Sequence, residues 1–307
     1  MAKVLSRVGL RVGLEDEAGT YKAPREVVKL NEVITPSVEF DSVDIPNFGY
    51  FGGMKEVVNI PCWGRITADI KTCFYDNLEF YHTLLTICNL KNETNAEGNT
   101  EFTPYTHSEA TASLDLVLPD RLFKFKGSKA NFKMSGKVAD KIDLEFGVQG
   151  SYAGRDITES EIGNVEGGEV LVIDCIGAMS IDGVQINLSE FEFDMGCEIA
   201  QEKFTNVNEF HISDYAPKLT VKCRLEKGQD DGFDAFKNAS TITFEAIFRN
   251  KAGQDVWKLE IPKAQLSESP KFEDSEGIFV IERTFLAIAD QGDDNFKLTY
   301  IAKANRD

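Results

Sequence analysis

Along most of its length the chain alternates apolar and polar residues in short runs. Val38-Glu39-Phe40-Asp41, the run ASLDLVL (Ala112 to Leu118) and IDLEFGVQGSY (from Ile142) keep the two-residue period of a strand with one buried face, and IFVIERTFLAIA (from Ile278) is a further sheet-forming run. Apolar residues fall at helical spacing only in NLEFYHTLLTICNL (Asn77 to Leu90) and in the shorter DDGFDAFKNA (Asp230 to Ala239). The pattern predicts a mainly β protein with two short helices. Phe, Val, Ile and Thr supply most of the strand-like positions, which agrees with their preference for pleated, half-buried surfaces.

The same pattern is written twice. Glu39-Phe40-Asp41 returns as Glu192-Phe193-Asp194, 153 residues later. At that offset Val28 falls on Ile181, Val33 on Ile186, Ile66 on Leu219, Thr67 on Thr220 and Ile70 on Cys223. Matches recur at every second residue, as they must if corresponding faces are buried. The segment 89–111 is polar, loop-like and missing from the second copy. Beyond it an offset of 134 places LFKFKGSKANF (Leu122 to Phe132) on VWKLEIPKAQL (Val256 to Leu266). The expected organisation is therefore a tandem duplication: a first domain over 1–160 with an insertion at 89–111, a Gly- and Glu-rich linker over 161–174, and a second domain over 175–307.

Composition narrows the function. The 307 residues carry a formal net charge of −18, with 51 acidic against 33 basic side chains, and both halves are acidic. Such a surface disfavours holding DNA or an anionic membrane by charge attraction. The N-terminal MAKVLSRVGLRVGL lacks an apolar core of signal-peptide length, and no apolar run reaches the length of a membrane span. Six scattered cysteines form no Cys-x-x-Cys, so the expectation is reduced thiols in a chain made in the cytoplasm. The three histidines form no metal-binding pair, and His82 reads as a structural or surface residue. No nucleophile elbow, zinc-protease motif or phosphate loop is present. Paired carboxylates such as Asp230-Asp231 and Asp293-Asp294 sit in polar turns, where 51 acidic residues make pairs unremarkable. Neither an enzyme nor a cofactor or metal site is expected.

The opening RVGLEDEAGTYKAP, the following VVKLNEVITPSVEFDSVDIPNFGYFGG, and ASLDLVLPDRLFKFKGSKANFKMSGKVADKIDLEFGVQGSY together resemble the tail tube proteins of long-tailed bacteriophages. The resemblance covers about residues 8–153 and, through the repeat, 175–290. It rests on strand and turn patterns, with no signature of reacting residues. It implies two tandem tail-tube-like β-sandwich/barrel domains, each with a short flanking helix, whose inner strands join neighbours into rings that stack as a tube. The implied function is a structural virion protein of the phage tail, made in the host cytoplasm. It would form an acidic-lined conduit through which double-stranded DNA slides without tight binding. Implied partners are copies of itself and other tail proteins, with no membrane. Two tube domains per chain make three chains sufficient for a pseudo-sixfold ring. Six chains with an external second half is the competing arrangement.

Two alternatives stay open. One is a trimeric baseplate hub or tail-tip protein with two tube domains. The other is a two-domain carbohydrate-binding β-sandwich, which would cluster exposed aromatics on loops. The stretch DIPNFGYFGGMKEV (Asp44 to Val57) reads as a long loop with aromatics unsuited to water. Pro46, Phe48, Gly49, Tyr50, Phe51, Gly52 and Gly53 are thus the candidates for an inter-subunit contact. Cys197 to Phe210 is their weaker counterpart.

Overall fold

The structure is a computed structural model that describes residues 8–46, 55–157, 168–172, 179–225, 231–275 and 277–306. Strand accounts for 61% of it and helix for 6%, so the core is built by sheets packing on sheets in a sandwich-like fold. In the first half of the chain the strands are β1 (Gly9–Leu14), β2 (Glu26–Val28), β3 (Ser37–Pro46), β4 (Lys55–Cys73), β5 (Leu90–Thr94), β6 (Thr100–Pro104), β7 (Ala112–Leu118), β8 (Arg121–Lys137) and β9 (Ile142–Asp156). The second half supplies β10 (Met179–Ile181), β11 (Val184–Gln185), β12 (Leu188–Asp194), β13 (Cys197–Phe204), β14 (Val207–Tyr215), β15 (Lys218–Arg224), β16 (Thr241–Arg249), β17 (Asp255–Leu266), β18 (Lys271–Ser275), β19 (Ile278–Ala287) and β20 (Lys297–Tyr300). Helix α1 (His82–Thr86) follows a 3-10 turn at Leu78–Phe80 and buries Thr83, Leu84 and Leu85, whereas α2 (Phe233–Lys237) buries none of its residues.

All pairings are antiparallel. In the first half hydrogen-bonded neighbours run β3–β4–β9–β8–β7–β1–β2. In the second they run β12–β15–β19–β17–β16–β10–β11. The two paths meet where β12 pairs with β8, placing Phe193 opposite Met134 and Asp194 opposite Lys133. With β18 beside β19, eight strands become neighbours in the order β3, β4, β9, β8, β12, β15, β19, β18.

The alternation read from the sequence explains the faces of this sheet. On β9, Ile142, Leu144, Phe146 and Val148 are buried while Asp143, Glu145 and Gln149 point the other way; on β15, Leu219, Val221 and Cys223 are buried between Lys218, Thr220 and Lys222. Most of the buried apolar side chains form one hydrophobic cluster that runs through both halves. Its centre is aromatic: Trp257 lies 4.9 Å from Phe74 and 4.9 Å from Tyr300, and its indole N–H donates to the Tyr75 carbonyl at 3.3 Å. Such ring pairs add about 0.5–1.5 kcal/mol each beyond the area they bury. The end of the Gly- and Glu-rich segment also packs inward, with Leu171 fully buried and Val172 bridging to Lys141 and Arg249.

Two segments expected to be loops contribute paired strands. The polar stretch 89–111 forms β5 and β6. Their turn is closed by the Asn95 side chain, which accepts from the backbone N–H groups of Glu97 and Asn99 at 3.0 Å each. Leu90 and Phe102 anchor the hairpin in the core, and β6 pairs with β20 from the other half. The stretch around Asp44 to Val57 is strand in its described parts, because Asp41–Pro46 pairs with Lys55–Ile60 as an arm of β3 and β4. Its counterpart after Asp194 is the separate two-stranded hairpin β13–β14. That hairpin starts at Gly196, whose φ of 65° and close approach to the Ala216 carbonyl leave no room for a Cβ.

Candidate functional site

The eight-strand sheet presents one face to the core and a second face that is polar. On that second face, carboxylates are matched by lysines on neighbouring strands. Lys222 sits at the centre, with its ammonium 3.0 Å from Glu190, 3.2 Å from Glu273 and 3.2 Å from Glu282. The ladder continues through Lys137 to Glu190 (3.1 Å) and through Lys133 to Asp194 (3.0 Å). The hydrogen bonds that Lys222 donates to Glu190 and Glu282 raise its pKa, and the bond from Lys222 lowers that of Glu190. Burial pushes the Asp194 carboxyl up, but hydrogen bonds from Asn131 and Lys133 outweigh it and hold the group below its ordinary value. An open hollow of about 380 Å³ lies along this ladder, bordered by Lys137, Lys141, Glu190, Glu192 and Lys222. Exposed pairs of this kind add little stability, about 0–1 kcal/mol each. Their chemical effect is to leave few lysines available to an outside anion.

The sheet has two outer edges. β3 pairs only with β4, and β18 only with β19, among the described residues. At the β18 edge Phe272 and Phe279 stack at 5.3 Å with 14° between their planes, yet they are 51% and 54% exposed. Ile278 beside them is 49% exposed. Stacked aromatics in water on a sheet edge mark a surface suited to a partner. At the β3 edge Phe40 is half-buried, its ring 5.6 Å from Tyr152 and set over Gly64.

The hairpin β13–β14 lies across the first half. Ser151 Oγ donates to the Asn208 carbonyl (2.8 Å), the Asn208 amide reaches the carbonyls of Cys62 and Gly64 (3.4 Å each), and Lys203 Nζ holds both carboxylate oxygens of Asp41 at 2.8 Å. The other arm shows Val43 and Val57 more than half exposed. Of the residues singled out for an inter-subunit contact, Pro46 ends β3. Phe48, Gly49, Tyr50, Phe51, Gly52 and Gly53 lie outside the described residues. Sequence reading missed Phe272, Phe279 and Ile278. Their one signal was the unbroken apolar run Ile278-Phe279-Val280-Ile281, which a strand with a single covered face does not need.

Away from the sheet face, Lys129 is buried with its ammonium donating to Asn89 Oδ1 (2.7 Å) and the Ser108 carbonyl (3.2 Å). Burial pulls its pKa down to about 8. Cys88 and Cys197 act on it electrostatically, but burial drives their own thiol pKa values up, so neither is a poised nucleophile. His82 is half-buried against Phe102. Among the described residues no group of three His, Cys, Asp or Glu side chains is placed to hold a metal ion, and no helix is long and apolar enough to cross a membrane. No protein-family model and no curated protein matches this chain.

Proposed function

We propose that this chain is a structural subunit that self-associates through its sheet edges, as the tail tube proteins of long-tailed phages do. In this reading it consists of two tandem tube-like domains, each carrying four strands of the eight-strand sheet and a short helix beside it. The observation that carries the reading is the seam at β8–β12. There the first half extends its sheet by accepting a strand from the second, while β3 and β18 remain as outer edges. The identical pairing order of the two halves supports treating them as copies. Three chains then supply six copies, and a heterologous contact of each chain with the next closes into a ring. Closure covers the edges that would otherwise invite uncontrolled pairing.

The polar face of the sheet is then the inner wall of the ring. Its carboxylates repel DNA phosphates, and its lysines are held by those carboxylates, so the wall is ion-paired rather than purely acidic. Duplex DNA passes such a surface without being retained. Stacked rings, other tail proteins at their ends and a place in the virion complete the assignment. Electron microscopy of the purified chain tests it: three-chain rings or tubes are expected. A chain that stays monomeric at high concentration, or rings of six chains, would overturn the subunit or the stoichiometry respectively.

A further inference from the structure

The seam inside the chain can be compared, position by position, with the two outer edges of the sheet. Ile70 pairs with Phe146, and Cys223, its counterpart at the offset of 153, pairs with Ile281. Phe146 faces Phe132 across β8–β9, and Ile281 faces Phe272 across β18–β19. By strand pairing, therefore, the place of Phe132 in the second half is taken by Phe272 and not by Leu266, which the offset of 134 matches to it but which pairs with Phe285 on β19. Phe132 is fully buried, because Phe193 of β12 lies 6.1 Å from it and Phe296 backs Phe193 at 4.9 Å. Phe272 has no such cover. The counterpart of Phe193 is Phe40, which is half-buried on the other edge of the sheet. Each edge thus displays one half of a contact that the chain has already made once.

We infer that the Phe272–Phe279 edge of one chain receives the strand residues Glu39–Asp41 of a second copy, antiparallel to Glu273–Ser275, with Phe40 moving into the role of Phe193. This rests on the two halves being copies of one domain. Transferring the internal register puts Glu273 opposite Asp41, where the internal seam has Lys133 opposite Asp194. Two acids replace an ion pair at that position. Their charge is offset by Lys222, 3.2 Å from Glu273, and Lys203, 2.8 Å from Asp41. The contact between copies is accordingly weaker than the internal seam at low salt and strengthens as salt screens the two carboxylates.

The test uses the full chain with Cys62, the exposed thiol among the described cysteines, and Cys175 both replaced by Ser. Mixing the single variants Asp41→Cys and Glu273→Cys under mild oxidation should give a disulfide-linked pair of chains joining the two variants. Independently, Phe272→Asp should abolish rings, while Phe233→Asp, an equally exposed aromatic on α2, should leave them intact. Rings that form normally from Phe272→Asp, or absence of the mixed cross-link in a chain that does form rings, would overturn this contact and leave the ring subunit standing. A wild-type chain that forms neither rings nor cross-links would overturn both.

Discussion

Arg306, near the end of the chain, reaches back to Asp76 in the first half. Its Nη1 lies 2.6 Å from Asp76 Oδ2 and its Nη2 2.8 Å from Oδ1, a two-pronged pairing. The side chains are only 3% and 11% exposed, and the guanidinium also stacks over Tyr300 at 5.2 Å from the ring centre. Replacing Arg306 by Ala leaves the Asp76 carboxylate buried with only the Tyr300 hydroxyl, at 3.2 Å, as a polar partner. Stranding one member of a buried pair costs about 3–5 kcal/mol, a large part of the roughly 5–15 kcal/mol that holds a folded protein. Removing both charges with Asp76→Asn and Arg306→Met should recover most of that loss, since the desolvation of both ions disappears with them. Equilibrium unfolding in urea of the wild type, both single variants and the double variant measures the coupling directly. If Arg306→Ala costs less than about 1 kcal/mol, the range of an exposed pair, the contact is not the anchor between the halves that its geometry indicates.

Two further outcomes follow from other buried or paired charges. Lys129 has a folded pKa of about 8, below the roughly 10.4 of an unfolded lysine. Between those values the unfolded chain binds the extra proton, so this residue makes stability rise with pH from about 8 to about 10. Lys129→Met should remove that rise and raise the urea midpoint at pH 7, and an unchanged pH profile would refute it. Glu190, Glu273 and Glu282 all neutralise Lys222. Changing all three to Gln should give the chain a salt-dependent retention of duplex DNA, seen by gel mobility, that the wild type lacks. No gain would mean that ion pairing is not what keeps this face from holding DNA.

Where the sequence alternates, its periodicity was enough to say that the residues lie on a strand and which way they point, although the polar stretch 89–111 and the arm of β3 and β4 read as loops. Ile142, Leu144, Phe146 and Val148 face inward on β9, and Ile66 and Leu219, matched by the offset of 153, are both fully buried. Side-chain alternation is a local property of the backbone, so local pattern reveals it. What a strand pairs with is not local. Nothing in the polar wording of 89–111 says that Phe102 will sit opposite Leu298. Nor does a second Glu-Phe-Asp say that Phe193 will be sealed by Phe132 while Phe40 stays half-buried. The two Glu-Phe-Asp runs acquire unequal surroundings because β12 is paired on both sides, by β8 and β15, while β3 pairs only with β4 among the described residues. Phe272 and Phe279 read in the sequence as two more strand aromatics. Only the tertiary arrangement, by covering Phe132 and leaving Phe272 uncovered, separates core from exposed edge.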